Sequence, residues 1–149
     1  MTISEQDFRS SCQNYADFFE RISPASLSEL EDFCDPNIIF QDPFNRIVGI
    51  ETLKVLFQDM FDQSKSVHFS IISIYPDFES RRAILKWRFI SETHKIGTLD
   101  FEGLSEIRIN DNGRVSEHID YWDSGSHFYS KIPILGSLIR LIRKRLTIS

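Results

Sequence analysis

The feature that most constrains this chain is a change of hydrophobic period near Val67. Before it, apolar residues recur at helical spacing. Phe8, Cys12, Tyr15, Phe19 and Ile22 form one stripe with steps of three and four residues. Ser4 is placed to cap the start of this helix, and Ser23-Pro24 predicts its end, because the residue before proline avoids helical backbone angles. A shorter helix is predicted from about Ser26, where Ser26 and Glu29 have capping-box spacing, to near Asp35-Pro36. The stretch "NIIFQDPF" reads as a short strand closed by a proline turn, and after Gly49 a third helix carries Ile50, Leu53, Phe57, Met60 and Phe61 on one face. After Val67 the period is two. Strands are predicted over 67–75, 82–92 and 98–110, the last alternating Leu99, Phe101, Gly103, Ser105, Ile107 and Ile109 with charged residues. Asn110-Asp111-Asn112-Gly113 then predicts a hairpin turn into "RVSEHIDYWD". Helices first and antiparallel strands after define an α+β chain.

At 149 residues the chain suits one domain with a single substantial core. Thirteen phenylalanines against four tyrosines imply a large apolar interior or an apolar hollow. No run of about 18 apolar residues occurs, and "MTISEQDF" has neither a basic nor an apolar leader region, so a cytoplasmic protein is expected. Cys12 and Cys34 have no metal or redox spacing and read as buried free thiols. The four histidines show no metal-ligand spacing, the six glycines form no phosphate-cradling loop, and cofactor-independent chemistry is expected.

Charge is unevenly distributed. The last twenty residues hold five basic side chains and no acid, leaving twelve basic against twenty-two acidic residues elsewhere, a net of −10. An acidic body excludes nucleic acid as its natural partner. Within 126–149, Leu135, Leu138, Ile139, Ile142 and Leu146 share one helical face opposite Arg140 and Lys144. This tail is read as a lid, a homodimer contact or a basic helix lying on an anionic membrane through 135–146.

The segment "EHIDYWD" is neither plain core nor plain surface as a strand: His118, Asp120 and Trp122 share one face. An imidazole and a carboxylate two residues apart suit acid/base work near neutral pH. A buried polar pair that satisfies itself is the structural alternative. Asp42, before Pro43, either opens an Asx-type turn or stands as a carboxylate in an apolar pocket.

The element order, with "FQDPFNRIVG" and "GRVSEHIDYWD", resembles the NTF2-like superfamily, which includes ketosteroid isomerases and SnoaL-like polyketide cyclases. The resemblance spans roughly 8–123 and implies a domain over 1–125: three N-terminal helices on a curved antiparallel sheet, a cone enclosing an apolar pocket. It implies that Asp42 is a general base and that His118 and Asp120 are acid/base partners, with Tyr15 as a possible donor. Phe19, Phe33, Phe40, Phe57, Trp87, Phe89, Phe101, Ser105 and Trp122 would line the ligand site. Ser105 stands where steroid isomerases carry a protonated acid, and Phe33 and Phe57 where they carry supporting tyrosines, so steroid isomerisation itself is not expected. The implied function is isomerase- or cyclase-like proton transfer on a small hydrophobic carbonyl compound. A non-enzymatic module for a small hydrophobic ligand is the alternative.

Overall fold

The computed structural model describes residues 2–148. Helix α1 (Glu5–Glu20) starts at Ser4, whose hydroxyl accepts from the Asp7 amide at 3.0 Å. Its predicted stripe is its buried face, and it packs mainly on strand β3 (Ser64–Asp77). In place of the predicted second helix stand a 3-10 turn (Pro24–Glu29) and the single-turn α2 (Leu30–Phe33). The cap is Ser23 rather than Ser26, and the two serines exchange backbone-to-hydroxyl bonds of 3.2 and 2.9 Å. Pro24 is suited to a first helical position, where no amide donor is needed, and this sets the start.

Strand β1 (Cys34–Gln41) and the short β2 (Arg46–Val48) flank a turn, and α3 (Ile50–Asp62) follows with Ile50, Leu53 and Phe57 buried. Strands β3, β4 (Arg82–Thr93), β5 (Gly97–Ile109) and β6 (Val115–Tyr121) form the antiparallel run that the two-residue period predicts. The sheet order is β2-β1-β6-β5-β4-β3. Unlike the rest, β1 runs parallel to β6, with Phe40 opposite His118, so the sheet is mixed. That pairing closes a long crossover and brings the first strand beside the last.

Register shifts at Ser64/Ser66, Ile71/Ser73 and Arg108/Ile109 bend the strands, and extra residues of this kind increase local twist. The curled sheet wraps one face around α1 and α3. Along β5, Leu99, Phe101, Gly103, Ser105, Ile107 and Ile109 are buried while Asp100, Glu102 and Arg108 are exposed. The outer face is held by charge pairs, among them Arg82 with Glu106 at 2.7 Å and with Glu117 at 3.4 Å. Glu117 therefore faces away from His118, as strand alternation demands.

After β6 the chain makes the short α4 (Ser124–His127) and a 3-10 turn (Tyr129–Lys131), then α5 (Leu135–Leu146). The main contact of α5 is with the Tyr129–Lys131 turn.

Candidate active site

The interior of the cone carries a string of polar side chains in an otherwise apolar core. His118 enters from β6 and is 3% exposed, enclosed by the rings of Tyr15, Phe19 and Phe40 at 5.6, 5.6 and 4.9 Å. Its Nδ1 meets the Tyr15 hydroxyl of α1 at 2.6 Å, and its Nε2 meets Asp120 Oδ1 at 2.6 Å. The same carboxylate oxygen accepts from the Ser105 hydroxyl of β5 at 2.5 Å. Ser105 in turn accepts from the Trp87 indole N–H of β4 at 2.8 Å.

One assignment of hydrogens satisfies this string. An ionised carboxylate only accepts, so Nε2 carries the imidazole proton and donates to Asp120. Nδ1 of the neutral ring then accepts, and the Tyr15 hydroxyl donates to it. Every donor points along the string towards Asp120. Burial pushes the Tyr15 phenol well above its ordinary range, and the neighbouring Cys34 and Asp120 add to the shift. Burial likewise raises the Cys34 thiol to about 12. Both groups are therefore held in their protonated forms. Unpaired, such groups would cost several kcal/mol each on burial, on the order of magnitude measured for amides and hydroxyls.

Asp120 differs from its neighbours in one respect. Its Oδ2 takes no hydrogen bond from any described residue, and its side chain is 19% exposed. Beside it lies a cavity of about 20 Å³, lined by Phe19, Phe57, Phe69, Trp87, Ser105 and His118 together with Asp120, Ile71 and Leu85. That volume admits one water-sized molecule. A cyclic compound fits only if part of the wall swings aside, and Phe69 and Ile71, both half-buried, are its least packed members.

Comparison with known proteins decides the family. Residues 15–118, more than half of the chain, match the SnoaL-like domain. The chain belongs to the SnoaL-like domain family. Three solved structures share its NTF2-like fold. An NTF2-like protein of unknown function from Exiguobacterium sp. 255-15 has a TM-score of 0.66 at 16% identity, covering 76% of this chain and 98% of its own. A LEH-like epoxide hydrolase from Mycobacterium tuberculosis has a TM-score of 0.66 at 14% identity, covering 93% and 97%. A second M. tuberculosis protein, in complex with estradiol-17β-hemisuccinate, has a TM-score of 0.64 at 13% identity, covering 78% and 94%. A search of curated proteins found no match.

Within this SnoaL-like domain the fold brings together Tyr15, Ser105, His118 and Asp120, with Phe19, Phe57 and Trp87 as walls. Phe40 packs on the His118 ring from behind. Phe89 packs on Phe69 and Phe101 on Trp87, one layer from the cavity, and Trp122 stacks on Phe101 at 4.5 Å, a layer further out. Phe33 packs on Phe18 at 5.2 Å and is not part of the lining.

Asp42 is not brought to this group. It sits in the β1–β2 turn, where Oδ1 accepts from the amides of Phe44 and Asn45 at 2.8 and 2.7 Å and from the Asn45 side chain at 3.3 Å. Asp followed by Pro and a polar turn folds the carboxylate back on its own backbone, which holds it at the surface.

Four contributors were not singled out from the sequence, one of them Leu85, which lines the cavity from β4. Phe69 and Ile71 line the cavity from β3, two residues apart on one face, as period-two alternation allows. Gly103 lies opposite Trp87, and a Cβ there would strike the indole ring. Glycine on the inner face of a strand marks such a close approach, and this one frees the indole to reach Ser105. Among the described residues no three His, Cys, Asp or Glu side chains converge as a metal site would need.

Proposed function

We propose that this SnoaL-like domain performs cofactor-independent acid/base chemistry on a small hydrophobic carbonyl compound, with Asp120 as the base. The observation that carries this reading is that Asp120 lines an apolar cavity with Oδ1 fixed by His118 and Ser105 and Oδ2 bonded by no described residue. A carboxylate held by one oxygen and open at the other is oriented to accept a proton. It takes the proton from the carbon next to the carbonyl. The C–H electrons form the enolate C=C bond, and returning the proton to another carbon completes an isomerisation. His118 and Ser105 are positioning residues for Asp120. Tyr15, fully buried on the far side of the imidazole, acts only through His118. Asp42 serves the β1–β2 turn.

The test is exchange of solvent deuterium into the α-carbons of a panel of cyclic ketones and enones, read by mass spectrometry. Wild type is expected to exchange and Asp120→Asn to lose it. Exchange that persists in Asp120→Asn would refute the role of this carboxylate.

A second reading is a binding module without catalysis. It is favoured by the string of hydrogen bonds, in which every donor already has its acceptor inside the protein. Ligands that raise the melting temperature without any exchange in wild type would select it.

A further inference from the structure

The most exposed apolar surface on the molecule belongs to α5 and its flanks. Ile134 is 87% exposed and Leu146 77%, and Leu138, Leu141 and Ile142 are each about half exposed. The helix is nevertheless not loose at its root. Gly136 packs so closely on the Ser130 carbonyl that a Cβ would collide with it, and Arg140 donates to the same carbonyl at 2.6 Å. Lys131, just before, donates to the Thr98 carbonyl of β5 at 2.8 Å. The fold thus fixes the start of α5 and leaves its apolar stripe uncovered.

The placement of charge selects the occupant. At 100° per residue, Leu135, Leu138, Ile142 and Leu146 form one stripe, Arg143 and Arg145 lie on its two edges, and Lys144 stands opposite. No acid occurs after Asp123. Two copies of this helix packed on one another would bring cations together with no carboxylate on either helix to offset them. An anionic lipid surface meets both demands at once: its interior accepts the leucines and isoleucines, and its phosphates meet the edge arginines. No helix among the described residues is long and apolar enough to cross a membrane, so the contact lies in the plane of the surface. The net charge of −10 on the rest of the chain opposes the approach, but at physiological salt charges act over only about 8 Å, so those at the contact dominate.

We propose that α5 is a peripheral docking helix for anionic membranes. Because it stands outside the Asp120 cavity, it is independent of the chemistry proposed there.

The test uses the full chain with sucrose-loaded vesicles, either pure phosphatidylcholine or phosphatidylcholine with about a third phosphatidylglycerol, in co-sedimentation. Wild type is expected to bind the anionic vesicles at least about tenfold more tightly than the neutral ones. Replacing Arg143, Lys144 and Arg145 by serine is expected to weaken binding on the order of a hundredfold. Leu138→Asp with Ile142→Asp is expected to abolish it, while both variants keep the wild-type melting temperature because these positions are exposed. Equal sedimentation with neutral and anionic vesicles, or none with either, would overturn the proposal. So would a dimer in sedimentation velocity that the aspartate pair dissolves while vesicle binding is absent, since the stripe would then face a second copy.

Discussion

Two carboxylates in this molecule are each held by several donors, and their surroundings make them opposites. Asp42 takes its hydrogen bonds from residues within three positions of itself, at the surface turn between β1 and β2. Asp120 takes one from its own strand and one from Ser105 across the β5–β6 pair, leaves its other oxygen without a donor among the described residues, and lines a cavity. The first arrangement is made by the local chain alone. The second exists only because four elements converge. Local saturation of a carboxylate leaves it nothing to do except hold a turn. Long-range support that leaves one oxygen open is the geometry that a base requires.

This contrast can be broken by substitution. The largest difference is expected in catalysis: deuterium exchange should fall about 10²–10⁴-fold in Asp120→Asn and stay within about twofold in Asp42→Asn. If Asp42→Asn were the inactive variant, the two roles would have to be exchanged. Next comes stability in urea. His118→Ala should cost about 3 kcal/mol, because it opens a void and leaves Tyr15 and Asp120 without their shared partner. Asp42→Ala should cost about 1 kcal/mol, since water can replace an exposed acceptor. Equal losses would mean that the interior string is no more cooperative than the turn.

The third effect depends on pH. Burial raises Cys34 from 9.0 to about 12 and Cys12 to about 11, so above pH 9 the unfolded chain releases protons that the folded chain keeps. The stabilisation is complete below pH 9 and is lost as pH rises towards 12. Unfolding free energy should fall across that interval, and the slope should be shallower in Cys34→Ala. Tyr15, raised in the same direction, adds to the loss at the alkaline end. Tyr15→Phe, which removes one buried hydrogen bond, should cost about 1–2 kcal/mol, less than His118→Ala, and should leave the exchange reaction measurable.

Much of the architecture was legible because it depends on period. The helical stripe from Phe8 to Phe19 and the alternation from Leu99 to Ile109 both name buried faces correctly. The same alternation placed His118 and Asp120 on one side. The two side chains meet directly at 2.6 Å, the contact that a buried pair satisfying itself would make. The parallel pairing of β1 with β6 was not legible, since no local pattern states which strands will be neighbours. Nor was the Trp87–Ser105 link, which rests on the β4–β5 register and on the space left by Gly103. For Asp42 the turn chemistry of Asp-Pro was present in the sequence, beside the pocket reading that the resemblance supplied.

His118 is fixed between Tyr15 and Asp120, and this holds the carboxylate in place. Nitrogen-15 NMR of the His118 ring tests it most directly, recorded where the imidazole is neutral. A protonated Nε2 and an unprotonated Nδ1 are expected in wild type, with both resonances shifted in Asp120→Asn. A proton on Nδ1, or a spectrum indifferent to Asp120, would contradict it, because the imidazole would then not be donating to the proposed base.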